Sequence, residues 1–232
     1  MCGDNQFIKE TGITDNDLVE SNGKLYNVVG FGDNNILYVL PVYKYPVNNT
    51  VEVETDGLKY YVDATKTLES KVPGVDIAIP LIEKQLLATA GNSAEGVMLR
   101  GINANDILKK KVLREGFKNL DLNFFKDDVV VLGSRLANKL GVMEGDEITL
   151  LSPNGKITMF GTVPRMKSYL VIGTFNLGMY EYDANYIFTP LETAQTFLSL
   201  GDGVTGIDVT LRDDANLDYT RELIAASIEN SG

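Results

Sequence analysis

The sequence predicts an α+β fold, in which short strands mix with several short helices. Runs rich in β-branched residues, such as Asp128–Leu132 and Val204–Leu211, are typical of strands. Segments with helical spacing and recognisable start and stop residues, such as Ser134–Gly141, indicate helices. The two kinds of element do not alternate regularly, so we do not expect a sheet built from βαβ units.

The first fifty residues are rich in Asn and Asp and contain two apolar runs, Lys24–Val29 and Ile36–Tyr43. The segment between the runs contains Gly and Asn, which accept the positive φ angles of a turn. We therefore expect a hairpin in this region, ended by Pro46. Residues 1–50 are otherwise unassigned.

The next part of the chain predicts the order strand, helix, strand, strand. Val51–Glu54 is a short strand, and a helix capped by Asp63 continues to about Val72, where Pro73-Gly74 ends it. The apolar runs Ile77–Leu87 and Gly96–Ile102 then predict two strands.

The second half predicts further helices and strands. Ser134 is expected to cap a helix that Gly141 closes, and Glu147–Leu151 is a strand after it. Thr189-Pro190-Leu191-Glu192 has the pattern of a capping box with Pro at the first helical position, and Gly201 is expected to end that helix. A terminal helix is expected over Leu217–Ile228.

Composition excludes several classes of function. The 32 acidic residues outnumber the 21 basic ones, giving a net charge of −11, which disfavours binding to nucleic acid phosphates. The chain has no His and one Cys, Cys2, so it has no His-assisted nucleophile, no His or Cys zinc site and no intrachain disulfide. No window approaches the roughly 20 apolar residues of a membrane span. We expect a soluble domain without cofactor, metal or enzymatic activity.

Two charged patterns are candidate sites. Paired acids could perform acid–base chemistry, but pairs arise by chance among so many carboxylates. The pairs are Glu181 with Asp183 and Asp213 with Asp214. The basic run Lys109–Lys111 with Arg114 has helical spacing, and a solvated helix face is the favoured interpretation.

One positive island interrupts the acidic chain. No acidic residue lies between Glu147 and Glu181, whereas Lys156, Arg165 and Lys167 lie inside that interval. Two prolines, Pro153 and Pro164, bracket a segment within the island. Because proline cannot donate to a strand ladder, sheet pairing is expected to be interrupted at both ends of this segment.

The bracketed segment is expected to leave the sheet as a protruding hairpin or loop. Ile157, Met159 and Phe160 would then be available for docking, since exposed Met and Phe suit adaptable apolar contacts. The alternative is an ordinary hairpin turning at Asn154-Gly155, with Met159 and Phe160 in the core.

Several segments, in this order, resemble the periplasmic domain of the LolC, LolE and LolF permeases, which belong to lipoprotein-releasing ABC transporters of the bacterial inner membrane. The LG-V-x-x-GD-x-I motif recurs in unrelated small barrels, whereas the ordered set is more specific. The matching segments are Gly96–Asn103, Val130–Leu150, Pro153–Pro164, Tyr169–Phe175, Gly178–Asp183, Pro190–Gln195 and Val204–Ile207.

The resemblance implies a mixed α/β "porter" subdomain with an inserted β-rich "sabre" subdomain. By position, the porter covers 51–118 with 205–230, and the sabre covers 119–204. In the family, one permease extends a hook from the sabre, and that hook recruits the periplasmic lipoprotein carrier chaperone, LolA. Here the hook corresponds to residues 153–164.

The resemblance also implies a support patch beside the hook, formed by Thr149, Arg165, Met166 and Lys167. Thr149 and Met166 are uncharged here, which leaves Lys167 as the strongest member. The implied partners are the carrier chaperone, the partner permease, the ATPase and the lipoprotein substrates. The alternative relatives are MacB-like efflux and FtsX-like regulatory permeases, whose partners would be an adaptor protein or a cell-wall hydrolase.

Overall fold

The computed structural model describes residues 18–21, 24–32, 36–41, 50–58, 61–158 and 161–229. Side-chain surroundings are described for 61–152 and 164–224, apart from Asp63 and Asp218. The chain divides into two compact units, Met1–Val47 and Asn48–Gly232. Within the described residues, no helix is both long and apolar enough to cross a membrane.

The first unit contains a three-stranded antiparallel sheet in the order β1-β2-β3. Its strands are β1 (Leu18–Ser21), β2 (Lys24–Gly32) and β3 (Ile36–Pro41). The two apolar runs of the N-terminal region therefore pair as antiparallel strands, as their pattern predicts. Register shifts between Val28 and Gly30, which indicates a bulge.

The second unit contains the remaining strands and helices. Its strands are β4 (Thr50–Leu58), β5 (Val75–Ala90), β6 (Ser93–Ile102), β7 (Val129–Gly133), β8 (Glu147–Thr158), β9 (Gly161–Phe175), β10 (Tyr186–Pro190) and β11 (Val204–Leu211). Its α-helices are α1 (Tyr61–Lys71), α2 (Ala104–Lys109), α3 (Lys111–Gly116), α4 (Ser134–Leu140), α5 (Tyr180–Asn185), α6 (Leu191–Leu198) and α7 (Leu217–Glu229). This mixture of elements confirms the predicted α+β class.

Strand β5 joins two layers because different parts of it pair with different strands. Val75–Leu81 pairs with β11, which also pairs with β4, and helices α1 and α7 pack against this layer. Ile82–Ala90 pairs instead with β6. The first layer buries its own apolar cluster, formed by Ala64, Leu68, Val72, Val75, Ala78, Ile207, Val209, Leu211 and Ile224.

The second layer closes on itself as a six-stranded barrel. Its strands follow the order β5-β6-β10-β7-β9-β8, and antiparallel pairing of β8 with β5 closes the ring. Helices α4 and α6 cover the barrel's core. That core includes Ile82, Leu99, Leu132, Leu136, Ile148, Leu150, Tyr169, Ile187, Leu191 and Phe197. Because β8 pairs with β5, each of the six strands has a paired neighbour on both sides within the barrel.

Helix ends differ from the sequence-based expectations in detail. The N-cap of α4 is Gly133, so Ser134 is the first helical residue and not the cap. The capping box at Thr189 is also wrong, because the Thr189 hydroxyl donates to the Val129 carbonyl and Pro190 is the N-cap of α6. That helix ends at Ser199, which has a φ of 57°, before Gly201.

The subdomain boundaries given above stay a prediction. Strand pairing adds one relevant fact: Ile82–Ile102 pairs within the barrel together with strands from 129–190. The partner of β5 therefore changes from β11 to β6 between Leu81 and Ile82.

Candidate partner-docking site

The candidate site begins where β8 and β9 leave the barrel. Strand β5 pairs with β8 only at Thr149–Leu151, and β7 pairs with β9 only from Leu170 onward. Beyond these points, β8 and β9 pair with each other, from Ser152 opposite Arg165 to Thr158 opposite Gly161. In the described part of the chain, this extension is a two-stranded ribbon with no third strand.

The two prolines lie where the ribbon's register changes. Ser152 pairs with Arg165 and the next pair is Lys156 with Val163, so four steps along β8 match two steps along β9. The expected interruption is therefore a local irregularity, after which pairing resumes. A turn at Asn154-Gly155 is wrong, because those residues lie within β8.

Other predicted hook residues cannot all be placed. Met159 and Phe160 lie outside the described residues, between the paired Thr158 and Gly161. The strand positions of Pro153, Lys156 and Ile157 are described, but their side chains are not. Pro164 is exposed.

The support patch divides between two faces of the sheet, because side chains alternate along a strand. On β9, Met166 and Ser168 are exposed, whereas Tyr169 is in the barrel core. Thr149 shares the exposed face, since its hydroxyl lies 3.1 Å from the Ser168 hydroxyl. Arg165 and Lys167 lie on the face of Tyr169, so the four residues do not form one patch.

Lys167 is held by neighbours on its own face. Its ammonium nitrogen lies 2.5 Å from Asp128 Oδ1 and 5.6 Å from the centre of the Tyr169 ring. Burial, with the charge of Asp128 adding to it, raises the pKa of the Tyr169 phenol. The strongest predicted member of the patch is therefore engaged within this chain.

Two buried polar atoms at the base of the ribbon have no hydrogen-bond partner among the side chains that the structure describes. They are Ser152 Oγ and Arg165 Nε, on residues paired across β8 and β9. Another nitrogen of Arg165 donates to the Phe197 carbonyl at 3.3 Å. The arginine thus donates a hydrogen bond to the end of α6 through its other nitrogen.

Sequence reasoning missed two apolar residues beside Met166. Leu151 is opposite Met166 on β9 and opposite Leu87 on β5, so the three positions form a row across three strands. Met166 is 64% exposed and Leu87 36% exposed. Period-two alternation from the buried Leu150 could have placed Leu151 on the outer face, but the pairing with Leu87 is long-range and leaves no local signal.

The basic run is only partly a solvated face. Lys111 and Arg114 are exposed, but the Lys110 ammonium lies 2.5 Å from Asp208 Oδ2. Asp208 is 3% exposed, and Arg100 Nη1 lies 3.9 Å from the same oxygen. Arg100 also contacts Glu83 Oε1 at 2.5 Å. Because the run joins α2 to α3, helical spacing does not continue through Lys110, which explains the error.

The paired acids have different surroundings. Asp183 is buried, and its Oδ1 accepts a hydrogen bond from the Leu177 amide, which is a structural role. Asp213 and Asp214 are exposed in a turn. A cavity of about 420 Å³ lies elsewhere, between Ile102, Phe125 and Leu191, and neither acid pair lines it. Within the described residues, no group of three or more potential metal ligands is found.

Comparison with known families matches residues 18–227 to the model of the MacB-like periplasmic core domain. The chain belongs to this family. The match includes the barrel, the first layer and the ribbon of β8 and β9. As a member of the MacB-like family, the chain is a periplasmic domain of the type that the sequence resemblance implied.

Curated relatives are lipoprotein-releasing system transmembrane proteins named LolC. The protein from Neisseria meningitidis serogroup B is 31% identical over 148 residues, which cover 62% of this chain and 35% of that protein. Proteins from two strains of Xylella fastidiosa are each 35% identical, over 61% and 65% of this chain and 34% and 37% of their own lengths. The MacB-like chain thus spans about a third of these relatives.

Matches among solved structures include the periplasmic region of MacB from Actinobacillus actinomycetemcomitans. It is 15% identical with a TM-score of 0.45, over 77% of this chain and 75% of that one. The extracellular domain of the transporter YknZ from Gram-positive bacteria is 14% identical with a TM-score of 0.45, over 74% and 88%.

Proposed function

We propose that this MacB-like domain is the periplasmic ectodomain of a lipoprotein-releasing ABC transporter permease. In this proposal it lies on the periplasmic side of the inner membrane and docks the carrier chaperone that receives outer-membrane lipoproteins. It would be a docking module without chemistry of its own. The names of the curated relatives support the transporter class.

The observation that carries the docking proposal is the ribbon formed by β8 and β9. It continues past the last contacts with β5 and β7, in the segment that the resemblance assigns to the hook. A two-stranded hairpin is only marginally stable in water. Because the extension adds little to the stability of the barrel, a binding role is the better explanation for it. Charge, proline placement and strand pairing thus favour the same residues, 153–164.

We assign the apolar docking contacts to Ile157, Met159 and Phe160, and electrostatic steering to Lys156. Within the support patch, Thr149 and Met166 are the better candidates for contact, because their face of the barrel is the exposed one. Lys167 and Arg165 would instead keep β9 in place through Asp128 and the Phe197 carbonyl.

The remaining assignments follow from the same resemblance. We propose that 51–118 with 205–230 forms the porter and 119–204 the sabre. Membrane helices of the longer protein would connect the domain to a partner permease and an ATPase. Lipoproteins would be the transported substrates.

The test is binding of the purified domain to the lipoprotein carrier chaperone of the same organism. The double variant Met159→Asp with Phe160→Asp is expected to lower affinity by at least about 100-fold, because hot-spot residues each contribute about 2 kcal/mol or more. The matched control is Phe124→Asp with Met143→Asp, which changes the same residue types at sites 63% and 70% exposed. Equal binding by both double variants would rule out the hook.

A second candidate is the ectodomain of a MacB-like efflux or FtsX-like regulatory permease. It is favoured by the family match, whose model is named for MacB. Co-purification separately with the carrier chaperone, an adaptor protein and a cell-wall hydrolase discriminates the candidates. Retention of the adaptor or hydrolase, without the carrier, would favour the second one.

A further inference from the structure

The open backbone edges of the hook suggest how a partner is held. Lys156–Thr158 pairs with Gly161–Val163, and in the described part of the chain neither arm has a second strand beside it. In an antiparallel ribbon, the N–H and C=O groups of successive residues point alternately to the paired strand and away from it. Each arm therefore presents backbone donors and acceptors that the hairpin itself does not use.

Between Lys156 and Pro164, the hook has none of the residues that usually protect an open edge. Ile157–Val163 contains β-branched and aromatic residues, with no charge and no proline, while Lys156 and Pro164 stand just outside it. Open edges are usually blocked by charged residues, proline or a covering element. A short, uncharged segment of high β-propensity instead favours pairing with another strand.

We propose that the partner docks by strand addition, with an extended segment of the carrier chaperone pairing along the Gly161–Val163 edge of the hook. This inference rests on the proposed function and adds the mode of recognition. Backbone hydrogen bonds would supply affinity that depends little on sequence, as in other cases of β-augmentation. The apolar hook side chains would then provide the specificity.

The edge at Gly161–Val163 is favoured over the one on β8. Among the described residues, no second strand pairs with β9 from Gly161 to Tyr169, so an added strand could continue toward the barrel. The corresponding part of β8 contains Pro153 and the register shift. Pro164 lacks a donor but keeps its carbonyl, so it removes only one hydrogen bond from the longer edge.

The first experiment measures amide hydrogen exchange by NMR on the full domain, with and without the purified carrier chaperone. Strand addition predicts that the amides of Gly161–Val163 that point away from β8 exchange at least about tenfold more slowly when the carrier is bound. Docking through side chains alone would leave these amides unchanged. That result, obtained with a carrier that still binds, would overturn strand addition but leave the docking function intact.

The second experiment compares Thr162→Pro and Val163→Pro with Thr162→Ala and Val163→Ala. One of the two amides points to β8 and the other to the open edge. Proline at the edge-facing position is expected to weaken carrier binding about tenfold while contacts between the two arms persist. The matching alanine is expected to change the affinity for the carrier by no more than about twofold. Equal affinities for that proline and its alanine would contradict the inference.

Two other outcomes test the proposed function and the assigned partner. If the wild-type domain does not bind the carrier at all, the proposed function and the docking mode are both wrong. If the edge amides become protected as the concentration of the domain rises, without carrier, the added strand comes from a second copy of this chain, and the assigned partner is wrong.

Discussion

The ammonium nitrogen of Lys110 lies 2.5 Å from Oδ2 of Asp208, a carboxylate that is 3% exposed. This ion pair connects the junction of α2 and α3 to β11, on the first layer. Arg100 of β6 contacts both Asp208 and Glu83, so the cluster also includes the barrel. Two acids and two bases balance one another where the two layers meet.

Replacing Lys110 by Met is expected to destabilise the domain by about 3 kcal/mol. The change keeps the length of the side chain but leaves Asp208 with the weaker contact to Arg100, at 3.9 Å, and a buried charge that loses its close partner is costly. Among the described residues, Asp208 Oδ1 has no hydrogen-bond partner, so little other compensation is available there. Urea unfolding monitored by circular dichroism measures the change.

The matched control is Lys111→Met, which removes the same charge from an exposed neighbour and is expected to change stability by less than about 0.5 kcal/mol. Adding Asp208→Asn to Lys110→Met is expected to cost less than the sum of the single changes, since the two groups interact. Simple additivity would show that the pair contributes nothing.

Replacing Gly133 by Ala is expected to destabilise the domain by about 2–3 kcal/mol. A Cβ atom there would collide with the backbone of Asp183, lying 2.8 Å from its Cα atom and closer still to its carbonyl. Backbone cannot move aside as a flexible side chain can, so β7 or α5 must shift. Thermal unfolding followed by circular dichroism provides the measurement.

Gly96→Ala is the comparison for this change. Gly96 also lies on a barrel strand, but an added Cβ meets nothing within 4 Å. We expect unchanged or slightly higher stability, because alanine restricts the unfolded chain. Similar losses at both positions would show that the contact with Asp183 is not the cause.

Elements with strong local patterns were predictable from the sequence. Val204–Leu211 is the observed strand β11, and Gly141 adopts a φ of 71° at the end of α4, as its position predicts. Thr189 has the spacing of a helix cap, but its hydroxyl donates instead to Val129 on a strand distant in sequence. Local spacing describes what a side chain can do nearby, but it does not reveal a competing long-range acceptor.

The sequence predicts which segment of the chain carries the candidate site, but not the three-dimensional contacts of its residues. Proline placement indicated where the ribbon's register changes, near Pro153 and Pro164. The faces of β9 could have been separated by alternation, which places Met166 opposite to Lys167. The engagement of Lys167 by Asp128 joins residues 39 apart in sequence, so it required the fold.

Replacing Tyr169 by Phe is expected to reduce alkaline destabilisation. Burial and Asp128 raise the pKa of this phenol above its unfolded value of about 10. The neutral phenol therefore contributes stability that is complete below about pH 10 and is lost as pH rises toward the folded pKa, by up to about 1.4 kcal/mol per pH unit. Phe cannot ionise, so urea unfolding between about pH 9 and about pH 11 should give a shallower decline of the free energy of unfolding with pH.

Tyr180→Phe, at a site 63% exposed, is the control. Parallel declines for wild type and Tyr169→Phe would show that this phenol does not limit stability in alkali.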